Sequence, residues 1–475
     1  FVYSSIRLFV YSSIRLFAFY FNPLMIDLRF LEEGKAIRDP IWGYIHIPPD
    51  FLPIVDAEEF QRLRDISQLG HVLLVYPGAR HSRFEHALGV FHIAGHFLKQ
   101  LLKTQPPPDI DIDDVRVLLA ASLLHDVGHY PFSHLLEEMQ MFFIDHETRG
   151  RYIIEDPSTE IHAALLKVGI DPQRVANVID YQQRTIPDRD MRLAHILSGT
   201  LDPDKIDYLL RDARYCGVPF GESVNRDRLL SSITYHHATQ RPAITYKGVS
   251  AAEALIFTSY LMYRNVYWHH AVRSANAMFK RGIQDLLAHP NCSLTENDFD
   301  RATESDLLHR LEKEHTELEI SYRTSLIGRL KRRKLFKVAR IFFPHEYAHN
   351  LINLFRRLYD APDQRRELEM AFCTHLSSKH NLNLCGDEIL LDILQFDKIP
   401  EVDLKVFFDA HIPVEKTEPL SFDDPEVSLL KNYLIDNFEA QAKVVRIFCD
   451  DIPNLRQAVR DEAFPFLKNW GTVRA

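Results

Sequence analysis

From Glu58 onward the apolar side chains of this chain recur at helical spacing. "FQRLRDISQL" and "FEHALGVFHIAGHFLKQLL" both place them at i, i+3, i+4 and i+7, the period of a helix with one buried face. A mostly α fold follows. "QPPPDIDIDD" (105–114) interrupts it as a loop, and Asp113 or Asp114 is the expected N-cap of a helix over "VRVLLAASLLHD". Further helices are expected at about 157–168, 172–181, 189–198 and 203–213, and the stretch "AAEALIFTSYLMYRNVYWHHAVRSANAMFKRGIQDLL" reads as one long, bent helix. "RPAITYKG" (241–248) has the β-branched residues and glycine stop of half a short hairpin. "HPNCSLTENDFDRATES" (289–305) reads as a loop or linker by its turn residues. Beyond about 330 the pattern is mixed: "KLFKVARIFF" fits a strand and "EILLDIL" fits either type. The expected organisation is a helical core over 25–288 and a smaller α+β part over 289–475.

The 475 residues are enough for a large core. A net charge of −10 argues against a generic nucleic-acid binder, so an anionic substrate must be drawn by a local positive site. Five scattered cysteines without a CxxC spacing exclude a cysteine zinc site and fit a reducing, cytoplasmic setting. The octamer "FVYSSIRL" stands twice, at 1–8 and 9–16, and the first methionine is Met25. Arg7 and Arg15 leave the apolar run too short and too charged to span a bilayer. Residues 1–24 are expected to be a non-native or disordered repeat ahead of a start near Met25. A membrane anchor is disfavoured, because neither copy puts a basic stripe on one helical face.

The chemistry concentrates in "LLHDVGHYPFSH", Leu123 to His134, with His146 shortly behind. His125 and Asp126 are neighbours, about 100° apart on a helix, so they can share one metal only at a helix end. Gly128 then lets the chain bend or another segment approach. His86 in "RFEHALG" and Asp204 in "LDPDKIDYLLRD" complete two imidazoles and two carboxylates, a mixed set suited to Mn, Fe, Zn or Ni with positions open to water and phosphate. His129, His134 and His146 remain to clamp phosphate or to protonate a leaving oxygen.

"PIVDAEEFQRLRDISQLGHVLLVYPGARHSRFEHALGV", "LLHDVGHYPFSH" and "LDPDKIDYLLRDARYCGV" together resemble HD-domain phosphohydrolases, nearest the deoxynucleoside triphosphate triphosphohydrolases. The resemblance is dense from about Lys35 to Val218 and thins beyond. It implies an HD helical core, one divalent metal per site (Mn, Fe, Zn, Ni or Mg) on His86, His125, Asp126 and Asp204, and catalytic roles for His129, His134 and His146. It also implies substrate contacts at Gln68, Leu69, Arg83, Lys205, Tyr208, Asp212 and Tyr267, the last an aromatic beneath the sugar that excludes a 2′-hydroxyl. Lys35, Asp56, Gln61, Arg64, Arg333 and Lys337 match residues that bind a dGTP or GTP effector between subunits of a homo-oligomer, a tetramer or dimer. One departure stands out. Where relatives carry an arginine on the triphosphate this chain has Ser259, and the nearest alternative is Arg264.

The expected activity is cleavage of a dNTP to deoxynucleoside and inorganic triphosphate. A monophosphatase, a phosphodiesterase or an alarmone hydrolase would use the same metal site. A nucleotide sensor or nucleic-acid binder would draw on the basic run "RLKRRKLFK" (329–337), a less favoured reading because every metal ligand is present.

Overall fold

The computed structural model describes residues 26–139, 143–346, 349–394, 403–408, 418–428, 430 and 444–473. The duplicated octamer lies outside them. The protein is mostly helical, as expected. It opens on a hairpin, β1 (Lys35–Asp39) against β2 (Gly43–Ile47), antiparallel with Asp39 opposite Gly43. The turn is made by Asp39, whose Oδ1 accepts the backbone N–H groups of Ile41 and Trp42.

The helical core follows: α1 (Arg83–Leu101), α2 (Ile112–Leu124), a short turn α3 (His134–Glu137), α4 (His146–Glu155), α5 (Glu160–Lys167), α6 (Pro172–Ile179), α7 (Asp188–Leu197) and α8 (Pro203–Cys216). The N-cap of α2 is Asp111, not Asp113 or Asp114. Its side chain accepts from Asp114 N–H while the Asp114 carboxylate reaches back to the Asp111 N–H, so the capping box starts the helix earlier. Helix α8 starts on Asp202, which accepts the Lys205 N–H, carries Pro203 in its first turn and stops at Gly217 with φ 68°. Helices α1 and α8 cross closely at Gly89, where a Cβ would sit 1.9 Å from Asp207 Oδ1. "FQRLRDISQL" forms only the short turns Glu58–Gln61 and Arg62–Asp65 rather than a continuous helix.

The long helix expected after residue 250 is two helices. α9 (Val249–Met262) runs into a wider π turn at Tyr263–Tyr267, the chain breaks at Trp268 and His269, and α10 (His270–Leu287) restarts with the His269 side chain capping Ala271 N–H. The hairpin expected at 241–248 is present as β3 (Ile233–His236) and β4 (Arg241–Thr245). "KLFKVARIFF" holds strand β5 (Lys337–Phe342), and "EILLDIL" resolves to a strand, β6 (Ile389–Asp392). The stretch 289–305 is not all loop, since Asn297–Asp300 is helical.

The later part of the chain contributes to two separate apolar cores. β7 (Lys405–Phe407) pairs in parallel with β4 and in antiparallel fashion with β8 (Leu420–Ser421), placing Val406 in the same apolar core as α1 and α2. β9 (Val445–Cys449) lies between β5 and β6 in an antiparallel sheet. Helices His349–Asp360, Pro362–His380 and Leu455–Val473 share an apolar core with that sheet. All five cysteines are free. Among the described residues no helix is long and apolar enough to cross a membrane.

Candidate active site

His86 from α1, His125 at the end of α2 and Asp204 from the first turn of α8 bring their ligand atoms within 4.8 Å of one another, and Asp126 stands beside His125. His86 Nε2 is 2.9 Å from Asp204 Oδ1, 3.3 Å from His125 Nε2 and 3.8 Å from Asp126 Oδ2. His125 Nε2 is 3.4 Å from Asp126 Oδ1. α2 ends at Leu124 and His125 is its C-cap, so the helix-end placement required for two neighbouring ligands is met.

The imidazoles are oriented from behind. His125 Nδ1 donates to the Ser122 carbonyl at 3.0 Å, and His86 Nδ1 donates to Asp207 Oδ2 at 2.8 Å, so both Nε2 atoms face the convergence point. Asp207 is fixed in turn by Arg211 and by the Trp42 indole N–H at 2.5 Å, and Arg211 also holds Asp39 at 2.8 Å. The β1–β2 turn thus reaches His86 through a buried chain of charges. None of Trp42, Asp207 and Arg211 stands out in the sequence as a site residue. The Asp207–Arg211 spacing of four on an apolar-faced helix is the one signal they carry there.

Asp126 is gripped on its other side by Arg83 Nη1 at 2.6 Å, and Arg83 Nε donates to Ser133 Oγ at 2.8 Å. Ser133 and Phe132 both have positive φ, 54° and 60°. Two consecutive non-glycine residues in that region are a strained turn, held by the contacts around them.

A second cluster sits beside the first. Glu137 Oε2 accepts from His134 Nδ1 at 3.0 Å and from His146 Nδ1 at 3.3 Å, and His129 Nδ1 lies 3.2 Å from Oε1. His129 and His146 stack with ring centroids 3.8 Å apart. Gly128 makes this approach feasible, since a Cβ there would lie 1.9 Å from the His146 carbonyl oxygen. These four residues lie close enough to hold an ion. The atoms gathered at Glu137, however, are the Nδ1 nitrogens, the arrangement of a carboxylate that orients imidazoles. Glu137 does not stand out in the sequence, where an acid three residues after His134 looks like a solvated helix position. Burial pushes the pKa of His129 down to about 3, and the Arg83 charge acts in the same direction. His146 moves the other way: burial opposes its charge, but the hydrogen bond and charge of Glu137 raise its pKa above the ordinary value.

Both clusters open into one cavity of about 660 Å³. Gln68, Leu69, Arg83, Tyr208, Asp212 and Tyr267 line it. Gln68 Oε1 is buried there without a hydrogen-bond partner among the described residues, a polar atom left for a ligand. Tyr267 donates to Asp212 Oδ2 at 2.6 Å. Lys205 is not on the wall; its Nζ bonds Asp202 Oδ2 at 2.7 Å and the Gly199 carbonyl. Arg264 is also off the wall and donates to Tyr260 Oη at 2.6 Å. Of the expected effector residues, Gln61 and Arg64 touch at 2.7 Å, and Arg333 donates to the Leu74 carbonyl. Lys35, Asp56 and Lys337 are exposed on β1, after Val55 and on β5.

A family model described as the HD domain matches residues 83–212, the span that supplies all four expected ligands and the three clustered imidazoles. The chain carries an HD domain. A second model, an HD associated region, matches residues 224–418. The uncharacterized protein YwfO of Bacillus subtilis is 37% identical over 253 residues, 53% of this chain and 55% of that protein. The deoxynucleoside triphosphate triphosphohydrolase SAMHD1 of Gallus gallus is 28% identical over 346 residues, 64% of this chain and 55% of its own. The chain therefore spans little more than half the length of these curated relatives. A solved structure of a hypothetical protein from Aquifex aeolicus superposes with a TM-score of 0.66 at 25% identity, covering 91% of this chain and all of that one.

The HD-domain quartet fits a divalent cation. Two Nε2 atoms and two carboxylates form a donor set that such ions accept. His86 presents Nε2 to Asp204 while Asp207 takes its Nδ1 proton, the orientation that a metal-ligating imidazole needs.

Proposed function

We propose that this HD-domain protein is a metal-dependent triphosphohydrolase of deoxynucleoside triphosphates, releasing deoxynucleoside and inorganic triphosphate. The observation that carries this reading is the grouping of His86, His125, Asp126 and Asp204 in a cavity of about 660 Å³ that also presents Tyr267 locked to Asp212. The activity in the name of the Gallus gallus relative supports it.

A divalent cation held by those four residues supplies Lewis-acid polarisation of a phosphoryl oxygen and acidifies water. The protein's own groups do the remaining work. Water attacks the α-phosphorus in line, and the bond to the 5′ oxygen breaks. His146, whose imidazolium form Glu137 favours, gives its proton to that oxygen, and the proton released by the water restores the imidazolium. Arg83, fixed by Asp126 and Ser133, offsets charge on the equatorial oxygens. Activation by dGTP or GTP through the surface around Asp56, Gln61 and Arg64, in a homo-oligomer, belongs to the same proposal.

The test is to incubate the metal-loaded protein with each dNTP, with and without dGTP or GTP, and to identify the products by mass. Deoxynucleoside plus triphosphate is expected. Stepwise orthophosphate would move the protein to a different HD phosphohydrolase activity.

The Tyr267 ring is placed by its hydroxyl on Asp212, and a ring packed under C2′ leaves no room for a ribose hydroxyl. Tyr267→Ala is expected to reduce discrimination between dGTP and GTP by about 10–100-fold, read as the ratio of kcat/KM values. An unchanged ratio would remove Tyr267 from sugar selection.

A further inference from the structure

Asp212 of α8 is a buried carboxylate on the cavity wall with both oxygens occupied. Oδ2 accepts the Tyr267 hydroxyl at 2.6 Å, and Oδ1 lies 2.7 Å from Nε2 of His81. A carboxylate that accepts on both oxygens calls for a proton on that Nε2.

His81 is 1% exposed and stands behind the wall rather than on it. Its ring stacks on Tyr215 with centroids 4.4 Å apart. Its carbonyl oxygen accepts the backbone N–H of Gln68 at 3.0 Å, and the next residue, Ser82, pairs with Ser67 in an isolated β-bridge. Nδ1 is buried with no hydrogen-bond partner among the described residues, so the ring's polar attachment is Asp212. One residue thus holds two parts of the wall, Gln68 by its backbone and Asp212 by its side chain.

Tyr267 has particular need of such support. It ends the π turn, and the chain leaves the helix at the next residue, so a regular ladder does not fix it as it would a mid-helix residue. Tyr263 meets its ring edge-on with centroids 5.0 Å apart, and the hydroxyl bond to Asp212 tethers the far end. A carboxylate held at one oxygen turns easily about its last side-chain bond, whereas one held at both keeps its plane.

We infer that His81 is a positioning residue for sugar selection, setting the Tyr267 ring through Asp212. The inference rests on the triphosphohydrolase reading, in which that ring lies beneath the sugar. His81 touches no substrate in this arrangement, so its effect belongs to the choice between deoxy and ribo substrates and not to the chemical step. A merely structural histidine would alter the melting temperature and leave that choice alone.

The probes are dATP and ATP, because the effector proposed above is a guanine nucleotide. Their kcat/KM ratio, or the ratio of dissociation constants by calorimetry where turnover is absent, is measured on the metal-loaded full chain, with products identified by mass. Wild type is compared with H81L, Y267A and H81L/Y267A. H81L is expected to lower the preference for dATP about tenfold with kcat for dATP little changed. Once Y267A is present, H81L should lower it no further. H81Q, whose amide still donates toward Asp212, should restore most of the preference. If H81L does not fold, H81N stands in, since its shorter amide falls short of Asp212. A preference unchanged in the folded variant, or lowered equally in the Y267A background, overturns the role of His81. Wild-type protein without a preference for dATP overturns it together with the sugar role of Tyr267. Release of orthophosphate in place of triphosphate overturns the triphosphohydrolase reading alone, because the ratio is read whatever the product.

Discussion

Asp204→Ala is expected to lower kcat/KM for dNTP hydrolysis by about 10³–10⁴-fold, the weight of several kcal/mol of charge stabilisation, with little change in melting temperature. Its carboxylate faces the cavity, 39% exposed, and what it loses is the contact to His86. Asp126→Ala should be equally inactive but also less stable. Arg83 is buried and draws its charge partner from Asp126 at 2.6 Å, and leaving such a group alone costs about 3–5 kcal/mol. Metal content by mass spectrometry and melting by calorimetry separate the two effects. Full turnover by either variant would remove the metal quartet from the mechanism. Equal thermal stability of the two would show that Arg83 does not depend on Asp126.

The second large effect belongs to a residue outside the metal ligands. Glu137→Gln keeps the shape but removes the charge that gathers three imidazoles. We expect kcat to fall by about 10²–10⁴-fold with metal content unchanged. The pH profile should move in a set direction. In the intact protein Glu137 raises the pKa of His146, so the acid form survives above its ordinary range and activity is lost as pH rises through that raised value. Without the carboxylate, burial remains and favours the neutral ring. The alkaline limb of kcat must then shift to lower pH. A variant with a normal pH profile and reduced kcat would leave Glu137 as an orienting group with no hold on the proton.

The metal quartet was legible because its chemistry is dense and its setting apolar. Two histidines and two aspartates set against apolar helical runs are costly to bury unless an ion gathers them, and the break at His125 was implied by adjacent ligands. The supporting groups were not legible, for the same physical reason in each case. Glu137 and His81 are ordinary polar residues until the fold brings partners to them. His81 meets Asp212, and Trp42 meets Asp207, each from far along the chain. Arg264 is the nearest alternative to the missing arginine at Ser259 in sequence alone. The π turn at Tyr263–Tyr267 changes the helical register there, and periodicity alone cannot reveal such a turn. Capping failed by two or three residues at Asp111 because a run of aspartates offers several caps and only the box with Asp114 discriminates among them.

The parallel pairing of β4 with β7 bears on how the protein is made. Ile244 finds its strand partner at Val406. During synthesis the matched HD domain has left the ribosome long before that partner exists. At roughly 5–20 residues per second the edge of β4 waits on the order of ten to thirty seconds. An open strand edge invites pairing with other chains. The nascent protein is therefore most in need of a chaperone in that interval, and slowing translation between 245 and 405 should lengthen it and increase aggregation.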